Sequence, residues 1–425
     1  MNFVCNEVYF ITDVAKLMHN IALVTAFCRR SVLARGGDPM RECLTIVPTR
    51  AGENYFSDGE NYFRMYVFIE GATAHQSVRS RRDFYESAVA FGNFAALLAG
   101  FDASQLYELL PGFHNTRVRY ENFLRAVRGD VCARAARVQR EIDWVHAHSH
   151  FAGSLVDRLA AGEIPLRVTH NDTKLNNVML DNATGKGIAV IDLDTVMPGS
   201  LCYDFGDSIR FGCNTAAEDE PDCSKVHFNF DLYSAYLGGY LFAVGGNITR
   251  AERENLPVGA LLMTYECGMR FLTDYLEGDV YFRTARPDHN LDRARTQFAL
   301  AEEMLACFDR MRLAEKEICR KDFRYPLSAA SPADAMSTAG SFRNSPIAFR
   351  SRRCATFARS GWSASANCTA HGSCFRTRKN FSVNGAATRS SSPRRTGIMS
   401  VCVCAPCNST TRCFWKSPSR PTRRS

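Results

Sequence analysis

No apolar run in the 425-residue chain approaches the roughly 20 residues that a membrane-spanning helix needs. The longest candidate, Ala235 to Gly245, is short and broken by Gly and Tyr in the manner of a buried helix, so a membrane protein is excluded on this test. The opening MNFVCNEVYFITD lacks both a basic leader and a long apolar stretch, so no secretory signal is visible and a cytoplasmic location is expected. Regular cysteine spacing is missing as well. Of 17 cysteines, nine are scattered over residues 1–318, which argues against a disulfide-stapled secreted domain and for reduced, mostly buried thiols. Acid is absent from the last 91 residues, which carry 14 Arg and 2 Lys, so the net charge of +8 belongs to the tail and the body before it is acidic.

What remains in residues 1–318 alternates helical and strand patterns, as in a mixed α/β or α+β enzyme, and the length of the whole chain suggests two or three compact units. Asp13 is placed to cap a helix over Val14 to Arg35, where Leu17, Ile21, Val24, Phe27 and Val32 share a face, and Gly36-Gly37 ends it. The runs Leu44 to Val47 and Tyr62 to Ile69 read as paired antiparallel strands around the turn-rich AGENYFSDGE. Helices are expected over Arg82–Ala99, Val118–His148, Asp231–Val244, Pro257–Leu276 and Asp292–Lys316. A short strand, Leu166 to Thr169, leads into the loop HNDTKLNNVML, and a second, Ile188 to Ile191, leads into Asp192.

The tail from about Lys321 has no amphipathic periodicity and is expected to be disordered. A basic extension that binds nucleic acid is one reading, and out-of-frame translation of GC-rich DNA is the preferred one. The run VCVCAPC at Val401 to Cys407 lacks the spaced second cysteine pair that a zinc module requires.

The chemistry is concentrated in His170-x-Asp172-x-Lys174-x-x-Asn177, followed by an apolar strand ending in Asp192-Leu193-Asp194. Phosphoryl transfer to a hydroxyl needs a carboxylate to orient that hydroxyl and take its proton, and oxygen ligands that hold Mg²⁺ against the phosphates. Asp172 is the candidate catalytic carboxylate, and Asn177 and Asp192 are the candidate metal ligands. Lys174 would offset charge developing on the transferred group. The plainer alternative is that Asp172 and Asn177 cap a turn and Asp192 ends a strand. Asp204-Phe205-Gly206 imitates a metal motif but ends no apolar strand, so Asp204 and Asp207 are expected to bond backbone around the catalytic loop instead.

HNDTKLNNVML, VIDLDTVMPG and YDFGDSIRFGCNTAAEDE closely resemble the N-acetylhexosamine 1-kinases, within the aminoglycoside phosphotransferase and choline kinase-like superfamily. VFIEGAT at Val67 to Thr73, GFHNT at Gly112 to Thr116 and RFLTDYLEGDVYF at Arg270 to Phe282 extend the resemblance over about residues 10–315. The resemblance implies a protein-kinase-like two-lobed fold and transfer from ATP, with Mg²⁺, to the anomeric hydroxyl of an N-acetylhexosamine. Its partners would then be a sugar and a nucleotide, with no membrane, and with nucleic acid met only through the basic tail. It further implies that Val67, Phe68 and Glu70 form the hinge that meets adenine. Arg270 and Tyr281 are candidates for holding the sugar, against a salt-bridged helix Arg and a core Tyr. His114 and Asn115 either line the same cleft or cap the next helix. A kinase for another amino sugar, choline or an aminoglycoside, and a catalytically inactive kinase-like fragment, are the alternatives.

Against that pattern, only MNFVCNEVYFIT precedes the first helix, with no Gly-rich loop and no lysine. The expected organisation is a truncated N-terminal β lobe over residues 1–70, a mostly helical catalytic lobe over residues 71–318, and a basic tail over residues 319–425. Low activity, and aggregation through exposed sheet edge, are expected of such a chain.

Overall fold

Helix α1 (Val14–Ala34) starts where Asp13 accepts the Lys16 backbone N–H at 3.1 Å, the capping role its sequence suggests. Leu17, Ile21, Val24 and Val32 are fully buried along one face of it. The structure, a computed structural model, describes residues 3–7, 13–59 and 61–322, together with 380–381, 397–398 and 402–403. Most expectations for the tail, including those for the run at 401–407 apart from 402–403, lie outside the described residues. Within the tail, β9 (Asn380–Phe381) pairs with β10 (Gly397–Ile398), and β11 (Cys402–Val403) pairs with β1 (Phe3–Glu7).

Strand β1 runs antiparallel to β3 (Tyr62–Val67), which also pairs with β2 (Phe56–Ser57). The strand expected over 44–47 is reduced to a single bridge, Ile46 to Tyr66, flanked by Val47 N–H to Met65 O at 2.8 Å and Val67 N–H to Thr45 O at 2.9 Å. The other sheets are small. One joins β4 (Ala72–Thr73), β6 (Val178–Asp181) and β7 (Gly187–Val190), and another joins β5 (Arg167–Thr169) to β8 (Met197–Gly199). The result is a helix-rich α+β architecture.

Helix α3 (Arg81–Leu97), capped by Ser80, packs along α8 (Phe230–Val244). The long helix expected over 118–148 is in fact two, α4 (Thr116–Gly129) and α5 (Gln139–Ala147), because Asp130 turns left-handed at φ 34° and closes α4. Asp130 then accepts the N–H groups of Arg134 and Ala135, holding the chain in a new direction. The helix expected over 292–316 is also split at Cys307, into α10 (His289–Ala306) and α11 (Phe308–Asp322). Helix α9 (Arg250–Glu277) begins ahead of the expected Pro257. Thr249 and Glu252 form a reciprocal capping box there, so the proline lies inside the helix.

Helix α7 (Leu201–Gly212) crosses α9 at backbone contact. A Cβ added to Gly206 would lie 2.2 Å from the Gly259 carbonyl oxygen, and one on Gly259 would lie 2.1 Å from the Cys202 carbonyl oxygen. This crossing fixes the depth of α7 beneath the catalytic loop. Gly206→Ala is therefore expected to destabilise the fold by about 1–3 kcal/mol through overpacking. An unchanged urea midpoint would show that the helices can separate without cost.

Candidate active site

Strand β5 delivers the chain to His170, and a left-handed Asn171 (φ 62°) turns it sharply. Asparagine tolerates this conformation, and here its Nδ2 bonds the carbonyls of Thr169 at 3.3 Å and Thr195 at 2.9 Å. The His170 ring is buried, with Nε2 2.9 Å from the Ile191 carbonyl and Nδ1 3.3 Å from the Asp172 N–H. A carbonyl only accepts and an N–H only donates, so these contacts assign the neutral tautomer with the proton on Nε2. His170 is thereby a strut between the loop and the end of β7.

The start of α7 is the template for the loop. Asp204 accepts the backbone N–H of His170 at 2.7 Å and of Asn171 at 2.8 Å, and Asp207 accepts that of Thr173 at 3.1 Å. The Thr173 hydroxyl returns a bond to the Asp204 carbonyl at 2.5 Å, and Ser208 Oγ donates to the Thr173 carbonyl at 2.7 Å. The Asp204-Phe205-Gly206 triplet thus holds backbone, as its position off any strand end suggests.

Burial pushes the Asp204 carboxyl up to about 6, against the opposing pull of its hydrogen bonds. Burial acts the same way on Asp207, but Arg210 and Lys174 outweigh it and hold that group below the usual range. A carboxyl with a raised folded pKa favours the folded state at low pH and loses that contribution as pH rises through the shifted value. The stability advantage of the native protein over Asp204→Asn is therefore expected to shrink by about 2 kcal/mol between pH 4 and 7. Denaturation at both pH values measures it, and an advantage that grows with pH would contradict the account.

Above this template, Asp172 is held from two sides. Asn177 Nδ2 donates to its carbonyl at 2.8 Å and to its carboxylate at 3.2 Å, while Lys174 Nζ lies 2.7 Å from Oδ1. Burial alone would lower the Lys174 pKa, yet Asp172 and Asp207 raise it, so the ammonium stays charged. Asn177 is buried, and its carbonyl accepts the Ile191 N–H at 2.9 Å, tying the loop to β7.

Asp192 follows β7 in the left-handed conformation, φ 64° and ψ 59°. The residue is exposed, but protein crowded around its carboxyl raises its pKa, and the charges of Asp194 and Asp172 add to the rise. Such mutual repulsion is relieved by a cation. Among the described residues no three His, Cys, Asp or Glu side chains form a metal cage. An amide oxygen from Asn177 and a carboxylate from Asp192 make a sparser set of hard ligands, which suits an ion that keeps waters and takes substrate oxygens.

A second group of residues gathers around Phe113. The Arg270 guanidinium lies 5.3 Å from the Phe113 ring, 5.8 Å from Tyr281 and 5.5 Å from Phe282, with Nη2 3.5 Å from the Tyr281 hydroxyl. Arg270 and Tyr281 thus come together, and Tyr281 stays exposed. His114 Nδ1 is 2.9 Å from Glu266, which also accepts the Thr116 hydroxyl, and the His114 ring is 5.1 Å from that of Tyr203. Burial would raise the Glu266 pKa, but His114 and Arg270 keep it below the usual range. His114 is also close enough to bear on the carboxyls of Asp204 and Asp207, which joins this group to the catalytic loop. Asn115 caps α4 by accepting the Val118 N–H at 3.2 Å.

Sequence reading missed Glu266 and Asp274. The latter accepts the N–H groups of Val280, Tyr281 and Phe282 at 2.7–2.9 Å and so fixes the loop that presents Tyr281. The signal was present as two acids on otherwise buried stretches of α9. Of the hinge candidates, Val67 is buried at the end of β3 and Phe68 is half-buried, while the Glu70 carbonyl accepts Arg41 Nη1 at 2.7 Å. Arg41 also pairs with Asp181 at 2.6 Å, bracing this segment against β6. Two cavities, of about 360 and 410 Å³, lie elsewhere, and neither is lined by Asp172, Asn177 or Asp192.

Residues 30–234, the stretch that carries the loop and its template, match the family model described as the phosphotransferase enzyme family. Over this stretch the chain is similar to that family. An aminoglycoside phosphotransferase from Alicyclobacillus acidocaldarius is similar over 74% of this chain and 87% of its own, at 14% identity and a TM-score of 0.52, and shares the fold. A choline/ethanolamine kinase family protein from Mesorhizobium loti aligns over 69% of this chain and 84% of its own at 15% identity, with a TM-score of 0.41. That looser superposition supports no argument of its own. The phosphotransferase match is consistent with the geometry of the loop, in which the Asp172 carboxylate is held by an amide and an ammonium.

Proposed function

We propose that the chain transfers the γ-phosphoryl group of ATP to the anomeric hydroxyl of an N-acetylhexosamine, giving the sugar 1-phosphate. The observation that carries the transfer chemistry is the arrangement of Asp172 between Asn177 and Lys174, with Asp192, just past β7, near enough for the two charges to interact. Asp172 orients the sugar O1–H and takes its proton as the O1–P bond forms and the bond to the ADP oxygen breaks. A hemiacetal hydroxyl is more acidic than an ordinary alcohol, so a carboxylate suffices as base. Lys174 offsets charge on the moving phosphoryl group. Asn177 and Asp192 would hold Mg²⁺, which when bound neutralises phosphate charge. Val67, Phe68 and Glu70 would line the adenine end.

Arg270, Tyr281 and His114 form the proposed sugar side, with Asn115 shaping the turn beside them. An arginine fork and an exposed aromatic ring suit hydroxyls and a sugar face. The charge around Phe113 separates this reading from its rivals. Arg270 and Arg119 both contact Phe113, and the neighbouring Glu266 is already engaged by His114 and Thr116. A neutral acceptor fits such a surface better than cationic choline or an aminoglycoside.

The test is product formation from ATP and Mg²⁺ with free N-acetylglucosamine or N-acetylgalactosamine, beside the corresponding methyl glycosides whose anomeric oxygen is capped. Phosphate is expected on the free sugars alone. Phosphorylation of a methyl glycoside would place the reaction at another hydroxyl.

A further inference from the structure

Arg64 lies on β3 at 5% exposure, with Nη2 2.5 Å from Asp194 Oδ1 and the guanidinium 5.4 Å from the Tyr66 ring centroid. Among the described residues its buried Nε and Nη1 have no hydrogen-bond partner. Taking an arginine out of water is costly, and one carboxylate contact leaves most of its five donors unused. A stable core would be better served by an apolar side chain there. What distinguishes the position is its neighbourhood, since Asp194 lies two residues beyond Asp192, in the turn that sets the left-handed Asp192.

The charges at this corner divide in a definite way. Lys174 pairs with Asp172 and Arg64 pairs with Asp194, while Asp192 has no ion-pair partner among the described residues. Without Arg64, Asp194 would be a second free carboxylate beside Asp192, able to swing toward any cation bound there. Strand β3 also ends three residues later at Val67, where the proposed adenine segment begins. One strand would then serve both ends of a nucleotide.

We propose that Arg64 is a positioning residue for the phosphate end of the nucleotide site, clamping Asp194 so that Asp192 alone is presented to the cation and phosphates. This rests on the phosphotransfer reading above. Its unused N–H groups are the natural partners of an anionic oxygen arriving at the same corner.

The discriminating experiment compares binding of Mn²⁺·ADP and of adenosine to the full chain, by Mn²⁺ electron paramagnetic resonance and calorimetry, for wild type, Arg64→Met and Arg64→Lys. Removing Arg64 takes its N–H groups away from the arriving phosphates and leaves the uncompensated Asp194 charge facing them, and loss of a supporting residue of this kind typically weakens binding by about 10- to 100-fold. Arg64→Met is expected to weaken Mn²⁺·ADP by that much and adenosine by less than about twofold. Arg64→Lys, which keeps the charge but not the fork, should fall between. It also serves as the test if the Met variant does not fold. Unchanged Mn²⁺·ADP affinity, or equal losses for both ligands, would overturn the proposal and leave Arg64 a structural residue. Failure of the wild type to bind Mn²⁺·ADP would instead remove the phosphotransfer reading, and this inference with it.

Discussion

Asp172→Asn is expected to lower kcat by about 10²- to 10⁴-fold while leaving the sugar KM within a few-fold of wild type. An asparagine keeps the shape and can still accept the bond from Asn177, but it cannot take a proton. Lys174 also loses its 2.7 Å partner and becomes a free cation at the point of attack. The acidity of a hemiacetal hydroxyl argues for the lower end of the range, because part of the proton transfer needs little assistance. Melting temperature should barely change, since Asp172 is partly exposed and the loop is held by Asp204 and Asp207 through its backbone. A variant within about threefold of wild-type kcat would remove Asp172 from the mechanism.

Asp192→Asn should separate function from stability in the other direction. The carboxyl is crowded by protein and repelled by Asp194 and Asp172, so neutralising it relieves strain in the ligand-free protein. The variant is expected to melt at the same or a higher temperature and to lose at least about 10²- to 10³-fold in transfer rate, together with Mg²⁺-dependent nucleotide binding. Thermal denaturation with and without Mg²⁺·ADP measures both parts. If Asp192 merely ended a strand, the variant would melt lower and keep its Mg²⁺ response.

The candidate catalytic loop was legible in the sequence as a unit because its contacts are local. Asp172, Lys174 and Asn177 lie within six positions, and their mutual bonds follow from that spacing. Asp13 and the apolar stripe of α1 were legible for the same reason, as a cap and a periodicity are short-range properties. Asp204 and Asp207 could be assigned to scaffolding because a metal carboxylate is expected at the end of an apolar strand, and theirs is a helix.

What escaped reading depends on partners far apart in the chain. Glu266 meets His114 across 152 positions, and Arg64 meets Asp194 from a strand whose own pattern shows only that it is inward-facing. The break at Cys307 was missed because no proline or glycine stands near it, whereas at Asp130 the adjoining Gly129 was a signal passed over. In α4 the left-handed Asp130 after Gly129, held by its own bonds to Arg134 and Ala135, ends the helix. Pro257 misled in the opposite sense, since the Thr249–Glu252 box outweighs it as a starting signal.

The most direct measurement is ³¹P NMR of the products formed when the chain receives ATP, Mg²⁺ and an equimolar mixture of N-acetylglucosamine, choline and kanamycin. The account predicts a sugar 1-phosphate resonance, coupled to the anomeric proton and lost with Asp172→Asn. Phosphocholine or a phosphorylated aminoglycoside as the product, or a sugar 1-phosphate that persists in Asp172→Asn, would contradict it.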